Sequence, residues 1–292
     1  MPERGIISSL RIRLTQMMTG SGVPLPGLEA DRIVCGALGV SRASLHAHPE
    51  RELRGWELER ALEFGIRRAS GEPLAYILND AIFRGRSFYV DKRVLIPRPE
   101  TEMLTRLADA CLKRFGRGVF ADWCTGSGCI AITLLEDNPG FKAYAADSSP
   151  DALDVAKYNA LSHGVGDRVK FIECEDPAEA LVIAPASLDM IILNPPYIRE
   201  AAIETLETQV KDYEPRAALD GGPDGLSVIM PLLSRLPFFM KRGAHLFLET
   251  GGDDQTDEIM THGRNIAADM TLSEISEDHR GIARFMVWRK LS

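Results

Sequence analysis

The chain has 292 residues, enough for one large domain or two smaller ones and for a buried core that needs no disulfide or metal staple. Hydrophobic residues make up 45% and charged residues 26%, the balance of a globular protein, and no apolar run approaches the ~20 residues that cross a bilayer. The formal net charge of −8 is uneven: residues 1–90 carry twelve Arg, no Lys and ten acidic residues, and the remainder carries 22 basic and 32 acidic residues, a net of −10. A protein that grips nucleic acid by its phosphates needs a basic face, so direct nucleic-acid binding is not expected of the larger part.

The first residues, MPERGIISSLRIRLTQMM, space apolar side chains between arginines, whereas a signal peptide shows one continuous apolar block. The five cysteines, at 35, 111, 124, 129 and 174, form no Cys-x-x-Cys pair and no zinc-spaced cluster with histidine. These features predict a reduced, cytoplasmic protein with no membrane segment and no structural metal.

Residues 1 to about 75 read as helices. Ile6, Ile7, Leu10, Leu14, Met17 and Met18 recur at helical spacing; a Gly/Ser/Pro break over 19–26 precedes a second amphipathic stretch from Leu28 to Leu38; Trp56, Leu58, Ala61, Leu62 and Ile66 form a third, with Trp56 expected in the core. Residues 81–95 are β-formers around Gly85 and predict a β-hairpin. From about 100 onward strands and helices alternate, with strands expected at 119–123, 142–146, 168–172, 188–193, 245–249 and 282–288. That alternation predicts an α/β fold with an open, mostly parallel sheet. The expected organisation is a helical domain over 1–80, a hairpin linker over 81–98 and a catalytic domain over 99–292.

The first strand runs into Asp122-Trp123-Cys124-Thr125-Gly126-Ser127-Gly128. Glycines two apart after a strand let the backbone approach a ligand closely. Asp147, which ends the second strand, suits a ribose diol. Both features fit a dinucleotide as well. Asp122 argues against that, because it would face the pyrophosphate. S-adenosylmethionine has the same adenosine but carries cations in place of phosphates, and a carboxylate helped by Thr125 suits that charge. Capping of the next helix is the alternative role for Asp122.

The fourth strand runs directly into Asn194-Pro195-Pro196-Tyr197, at the strand end where open α/β sheets bind ligands. The Asn194 side-chain oxygen can accept from an –NH2 group. The prolines remove backbone donors and stiffen the turn. The Pro195 carbonyl can accept the second hydrogen, and Tyr197 offers a flat face. The tetrapeptide reads as a clamp for a planar –NH2, which by itself fits an amide or the exocyclic amine of a nucleobase.

With these motifs the sequence resembles the release-factor glutamine methyltransferases, the HemK/PrmC family of class I S-adenosylmethionine enzymes. The resemblance covers nearly the whole chain. It is carried by Gly71-Glu72-Pro73-Leu74-Ala75-Tyr76, by the string from Val94 to Glu102 (Val-Leu-Ile-Pro-Arg-Pro-Glu-Thr-Glu), by the loop from Asp122 to Gly128 and by Asn194 to Tyr197. Glu214 to Leu219, Gly221 to Leu226, and Asp278 with Gly281 and Arg284 complete it. It implies a Rossmann-like class I methyltransferase fold behind a small helical domain, with S-adenosylmethionine as cofactor and S-adenosylhomocysteine as product. The implied reaction is N5-methylation of the glutamine in the Gly-Gly-Gln motif of peptide chain release factors, by a monomer whose helical domain recognises the substrate. A sister family that methylates a ribosomal-protein glutamine has Pro-Arg-Ser-Pro where this chain has Pro97-Arg98-Pro99-Glu100, which favours the release-factor branch.

The resemblance implies cofactor contacts at Asp122, Cys124, Thr125, Gly126, Ser127, Gly128, Asp147 and Asn194, and an acidic residue near the adenine, either Glu175 or Asp176. An ungapped count from Val169 favours Glu175. Substrate contacts would come from Asn194, Pro195, Pro196, Tyr197 and Arg98, with pinning of the hairpin as the other reading of Arg98. Cys124 stands where the family loop has its first glycine. If that position needs a positive φ, a non-glycine residue costs on the order of 1 kcal/mol.

Overall fold

The computed structural model describes residues 5–263 and 269–291. They divide into two compact units. One holds Met1–Asp80 with Glu207–Tyr213; the other holds Ala81–Leu206 and Glu214–Ser292.

The first unit is helical: α1 (Ile7–Gly20), α2 (Pro26–Leu38), α3 (Arg42–Ala47), α4 (Gly55–Ala69) and α5 (Leu74–Leu78). The apolar stripe of α1 (Ile7, Leu10, Leu14, Met18) packs with Ile33 and Val34 of α2 and with Ala61 and Phe64 of α4 in one core. Gly65 allows α1 and α4 to approach, since an added Cβ would lie 2.4 Å from Leu14 Cδ2. Trp56 is not in this core. It is 51% exposed, because Glu57, one residue on, is the position that turns inward to hold Arg51 and the Arg54 amide. Residues 207–213, which the sequence reading left in the second domain, group with the helices: the Tyr213 hydroxyl donates to the Ser70 carbonyl at 3.1 Å, and Thr208 packs at Gly71.

The second unit opens with a short hairpin, β1 (Ala81–Phe83) and β2 (Arg86–Phe88). Its two central residues, Arg84 and Gly85, both have positive φ (48° and 75°), as a tight two-residue hairpin turn requires. The strands end at Phe88, so the β-formers from Tyr89 to Leu95 lie outside the two strands, with the Tyr89 backbone held instead by the Asn159 side chain. After α6 (Pro99–Phe115) come β3 (Gly118–Trp123), α7 (Cys129–Asp137), β4 (Phe141–Asp147), α8 (Pro150–Ser162), β5 (Val169–Glu173), β6 (Leu188–Leu193), β7 (Met240–Glu249), β8 (Met270–Glu277) and β9 (Ala283–Lys290). β8 went unread in the sequence because its exposed and half-buried residues, such as Thr271, Ser273 and Glu274, carry little apolar signal.

Among the described residues these seven strands form one sheet in the order β5-β4-β3-β6-β7-β9-β8. The first five are mutually parallel, and β9 pairs antiparallel with both β7 and β8. Both faces are covered. Met190 and Ile192 of β6 enter the core with α6 and α7, whereas Ile191 and Leu193 enter the core with the helix Ile229–Arg235. That two-sided burial explains why β6 reads as a nearly unbroken apolar run.

Candidate active site

The chain leaves β3 toward β4 on one side and later returns to β6 on the other, which makes a switch point at the carboxyl edge of β3. Trp123 pairs with Ala146 of β4 and with Leu193 of β6. The next residues, Cys124, Asp147 and Asn194, therefore emerge together at that edge. A cavity of about 390 Å³ opens there, within the range of small-molecule sites. Its wall comes from residues 124–127, 147–149, Cys174 with Glu175, and Asn194 with Pro196, one group from each of four strand ends, joined by Arg98 and Thr101.

The glycines of the loop have separate duties. Gly128 (φ 80°) lets α7 and α8 close, since a Cβ there would lie 2.9 Å from Ile132 Cδ1 and 3.2 Å from Ala156 Cβ. Gly126 (φ 54°) keeps open space, since a Cβ there would meet nothing within 4 Å. The loop is strapped to β4: the Thr125 amide donates to the Ala146 carbonyl (3.0 Å) and the Gly126 amide to Asp147 Oδ2 (2.9 Å). Asp147 Oδ1 accepts from the Ser149 amide at 3.0 Å. Asp147 lines the cavity, and a carboxylate has acceptor capacity for more than these two amides. Burial raises the pKa of Asp147, and the amides of Ser149 and Gly126 pull it back. Ser127 is buried, and its carbonyl accepts from Asn159 Nδ2 at 2.9 Å.

Asp122 lies under the loop and off the cavity wall. It is fully buried; its Oδ2 accepts from the Thr125 hydroxyl (2.6 Å) and from the Ala131 amide in the first turn of α7 (3.1 Å). The helix-capping role is thus realised, and Asp122 meets the cavity only through Thr125. Its Oδ1 is buried with no hydrogen bond among the described residues. Burial, with the Asp147 charge adding, pushes the Asp122 pKa up to about 7. An acid raised in the folded state contributes stability that is present below pH ~4 and lost as pH rises through ~7. Asp122→Asn should therefore gain stability relative to the wild type across that interval, by about 2–4 kcal/mol at pH 8 compared with pH 4. Denaturant melts at the two pH values measure this; equal differences would place the charge cost elsewhere.

Cys124 adopts φ 61°, the left-handed region that favours glycine. Burial raises its thiol well above the ordinary range, with Asp147 and Asp122 adding, so the sulfur stays protonated and packs against the core. The strain shows in side chains that branch at Cβ. Cys124→Val should be about 2 kcal/mol less stable than Cys124→Gly, a Tm gap of ~4–8 °C. Calorimetric melts giving equal Tm values would show that the loop carries no such strain.

Asn194 Nδ2 donates to the Thr101 hydroxyl at 3.0 Å, and no hydrogen bond among the described residues reaches its Oδ1 or the Pro195 carbonyl. Pro196 lies on the cavity wall and Pro195 is buried behind it. Tyr197 is off that wall; it lines a neighbouring groove, and its hydroxyl donates to Glu249 Oε1 at 3.3 Å. Burial beside the Glu249 carboxylate pushes the Tyr197 pKa up. Arg98 is on the wall but ion-paired to buried Glu214 at 2.5 Å, and Glu214 also accepts from the Ile96 amide at 3.0 Å. The pairing pins the 94–102 string to the 214–219 string. Of the two acidic candidates, Glu175 lines the cavity. Asp176 instead caps the short turn Pro177–Glu179 and pairs with Arg235.

Three buried residues beside the site had no role assigned from the sequence: Thr101, Glu214 and Glu249. Thr101 reads locally as a helix start. Glu249 carried one usable signal, a carboxylate closing an otherwise apolar strand at the ligand edge of the sheet.

Two family models match the chain, the PrmC N-terminal domain over residues 9–78 and the methyltransferase small domain over residues 101–212. Relatives named release factor glutamine methyltransferase span almost its entire length. That of Chlorobaculum tepidum is 35% identical over 291 residues, covering 97% of this chain and 99% of the relative. That of Koribacter versatilis is 37% identical over 278 residues, covering 94% of each. The chain belongs to the release factor glutamine methyltransferase family. Among solved structures, the hMettl16 catalytic domain in complex with MAT2A 3′UTR hairpin 6 has a similar fold (TM-score 0.53, 15% identity, 80% of this chain and 81% of that one). So does P. horikoshii TYW2 in complex with MeSAdo (TM-score 0.53, 12% identity, 73% and 70%). The mostly parallel sheet is that of the class I methyltransferases, and the methyl donor is S-adenosylmethionine. The cavity fits that donor on its own terms: the spare acceptor capacity of Asp147 suits a diol, and the space over Gly126 leaves room for a ligand against the backbone. No helix among the described residues of this family member is long and apolar enough to cross a membrane.

Proposed function

We propose that this protein methylates N5 of the glutamine in the Gly-Gly-Gln motif of peptide chain release factors. The observation that carries the reading is the placement of Asn194-Pro195-Pro196-Tyr197 at the switch-point edge, with the Asn194 amide nitrogen tied to Thr101 and its oxygen left to accept. In this reading Asp147 and Glu175 hold the adenosine part of S-adenosylmethionine, and residues 124–128 hold its methionine part, with Asp122 acting through Thr125. When bound, S-adenosylmethionine would supply an electrophilic methyl group and leave as S-adenosylhomocysteine, the new N–C bond replacing the S–C bond and N5 releasing one proton once it carries the methyl. Asn194 Oδ1 and the Pro195 carbonyl accept the two hydrogens of the glutamine –NH2. They hold its plane fixed and weaken the conjugation that ties up its lone pair. Tyr197, anchored on Glu249, supplies a flat face beside them. The test is mass spectrometry of a release factor incubated with the protein and S-adenosylmethionine. One methyl on the Gly-Gly-Gln glutamine supports the reading; methyl only on a ribosomal protein or on nucleic acid in parallel incubations overturns it.

The protein is proposed to act in the cytoplasm as a monomer without direct nucleic-acid contact. The net charge of −10 past residue 90 supports the absence of nucleic-acid contact, and the five free cysteines support a reducing compartment. The helical unit is proposed to recognise the release factor, because one glutamine offers few contacts and remote binding energy must position it. Its arginines are not equally available. Arg11 pairs with Asp31 (2.7 Å), Arg67 with Glu72 (2.6 Å) and Arg68 with Glu29 (2.6 Å), so charge reversal at these three would set like charges against each other inside the unit and confound a test of recognition. Arg13 and Trp56 are exposed. Arg13→Glu and Trp56→Ala are expected to lower kcat/KM on intact release factor by ~5-fold or more with cofactor Kd unchanged. A short Gly-Gly-Gln peptide should be a poor substrate for all forms. Wild-type kcat/KM in both variants would remove this face from recognition.

A further inference from the structure

β6 ends at Leu193, and after it the backbone next bonds to backbone at Ile198, whose amide donates to the Leu219 carbonyl (3.0 Å) and whose carbonyl accepts from the Gly221 amide (2.8 Å). Among the described residues none of 194–197 makes a bond of that kind. Two of the four are prolines with no N–H to give, and the turn's carbonyls lack the ladder partners that fix a strand. Side chains hold the turn instead: Asn194 is tied to Thr101, and the Tyr197 hydroxyl to Glu249. The turn's backbone is gripped at the Tyr197 carbonyl, which accepts from Gln255 Nε2 at 3.1 Å.

Gln255 sits in the first turn of the helix Asp253–Gly263 and is 6% exposed. Its Nε2 also donates to the Gly225 carbonyl at 2.9 Å, and its Oε1 accepts from the Gly251 amide at 2.7 Å. One carboxamide thus joins three segments: the turn after β6, the string Gly221 to Leu226, and the loop after β7. Two donors and one acceptor are spent on three backbone groups. Glutamate offers no donor when ionised, and asparagine is one methylene shorter, so the set calls for glutamine. The space around it is closed. A Cβ on Gly225 (φ 78°) would lie 2.5 Å from the Tyr197 carbonyl oxygen and 2.7 Å from Gln255 Nε2, and a Cβ on Gly251 would lie 3.2 Å from Gln255 Oε1. Position 225 therefore takes glycine because its backbone lies directly against the bond between Gln255 and Tyr197.

We infer that Gln255 is a positioning residue for amide methylation: by holding the Tyr197 carbonyl it fixes the far end of the Asn194–Tyr197 turn, and with it the place of the Pro195 carbonyl. β6 and Thr101 fix the near end, so a turn without backbone bonds of its own is held at both ends. A positioned acceptor that shifts by about 1 Å can lose ~10²-fold in rate, which makes the distant hold matter to the reaction. The inference rests on the glutamine-methylation reading for its consequence in turnover. Its structural content, the hold on the turn, is separate.

The experiment uses the full chain as Gln255→Met, Gln255→Glu and Thr256→Val. Methionine keeps the size and removes all three bonds. Glutamate keeps an acceptor for the Gly251 amide but turns an oxygen toward the Tyr197 and Gly225 carbonyls. Thr256, the next residue and also buried, bonds to the Thr250 hydroxyl and the Ala283 carbonyl and not to the turn, so its variant reports the cost of loosening this helix alone. Tm, kcat on intact release factor, cofactor Kd by calorimetry and the NMR signal of the Tyr197 carbonyl carbon are read together. Both Gln255 variants should lower kcat by ~10-fold or more with cofactor Kd within ~3-fold, and both should move the Tyr197 signal. Thr256→Val should lower Tm yet keep kcat within ~3-fold and leave that signal in place. The inference is overturned if a folded Gln255 variant keeps kcat within ~3-fold of wild type, if Thr256→Val loses as much kcat, or if the Tyr197 signal does not respond. In the wild type itself the Gln255 side-chain amide protons should exchange with solvent ~10²-fold more slowly than those of an exposed glutamine, and exchange at the exposed rate overturns the hold whether or not the variants fold. A wild type inactive on release factor would sink the proposed function instead, and the Tyr197 signal and the Gln255 exchange would still decide the hold on the turn.

Discussion

Asn194→Ala is expected to lower kcat on intact release factor by ~10²-fold or more while the S-adenosylmethionine Kd stays within ~3-fold of wild type. Its amide nitrogen is committed to Thr101, so in the proposed reaction it offers the substrate one acceptor oxygen. Removing a preorganised acceptor leaves the glutamine free to rotate its amide plane and keep its lone pair conjugated, and both losses fall on the reacting state. The cofactor should be spared, because the loop that would hold it is strapped to β4 by the Thr125 and Gly126 amides, neither of which involves Asn194. Single-turnover rates together with calorimetry separate the two effects. A kcat within a few-fold of wild type would take Asn194 out of the clamp. Parallel losses in kcat and cofactor affinity would mean that it holds the cofactor instead.

Asp147→Ala should weaken S-adenosylmethionine binding by about 1.5–3 kcal/mol, which is ~10- to 150-fold in Kd. Two losses combine. The spare acceptor capacity on the cavity wall disappears, and so do the acceptors for the Gly126 and Ser149 amides that shape the loop and start α8. Asp147→Asn separates them: it keeps one carbonyl acceptor in the same place and should bind more tightly than alanine, though more weakly than aspartate. Unchanged affinity in the alanine variant would show that the ribose is held elsewhere. Equal loss in both variants would show that the charge matters more than the loop.

The local rules of the chain were enough for the α/β alternation, because a strand buried on both faces must be apolar along most of its length, as 188–193 is apart from Asp189. The Gly loop and the Asn-Pro-Pro-Tyr turn were legible for a similar reason: tight backbone and stiff turns require particular residues at particular spacings. Even the strain at Cys124 could be anticipated from one missing glycine, and the backbone bears it out with φ 61°. These are all properties that a residue shares with its near neighbours.

What escaped the sequence is pairing between distant residues. Thr101 meets Asn194 93 positions away, Arg98 meets Glu214 across 116, and Tyr197 meets Glu249 across 52. No periodicity encodes such pairs. They exist because the strand order sets β6 between β3 and β7 and so brings Asn194 and Glu249 to one edge. The same holds for Asp122. Its position at a strand end was plain, but whether it faced the ligand or the helix beneath depended on the pleat and on the placement of α7, which turns Oδ2 to the Ala131 amide. By count the arginines of residues 1–80 only match the acidic residues there, and the packing of α1, α2 and α4 decided that Arg11 and Arg68 are spent on Asp31 and Glu29. Composition and spacing therefore determined the fold class and the reading of Asn194 to Tyr197 as a clamp. The orientation of each charged side chain, and with it the support beneath Asn194, was decided by tertiary structure, because a buried charge takes whichever partner the packing brings within hydrogen-bonding distance.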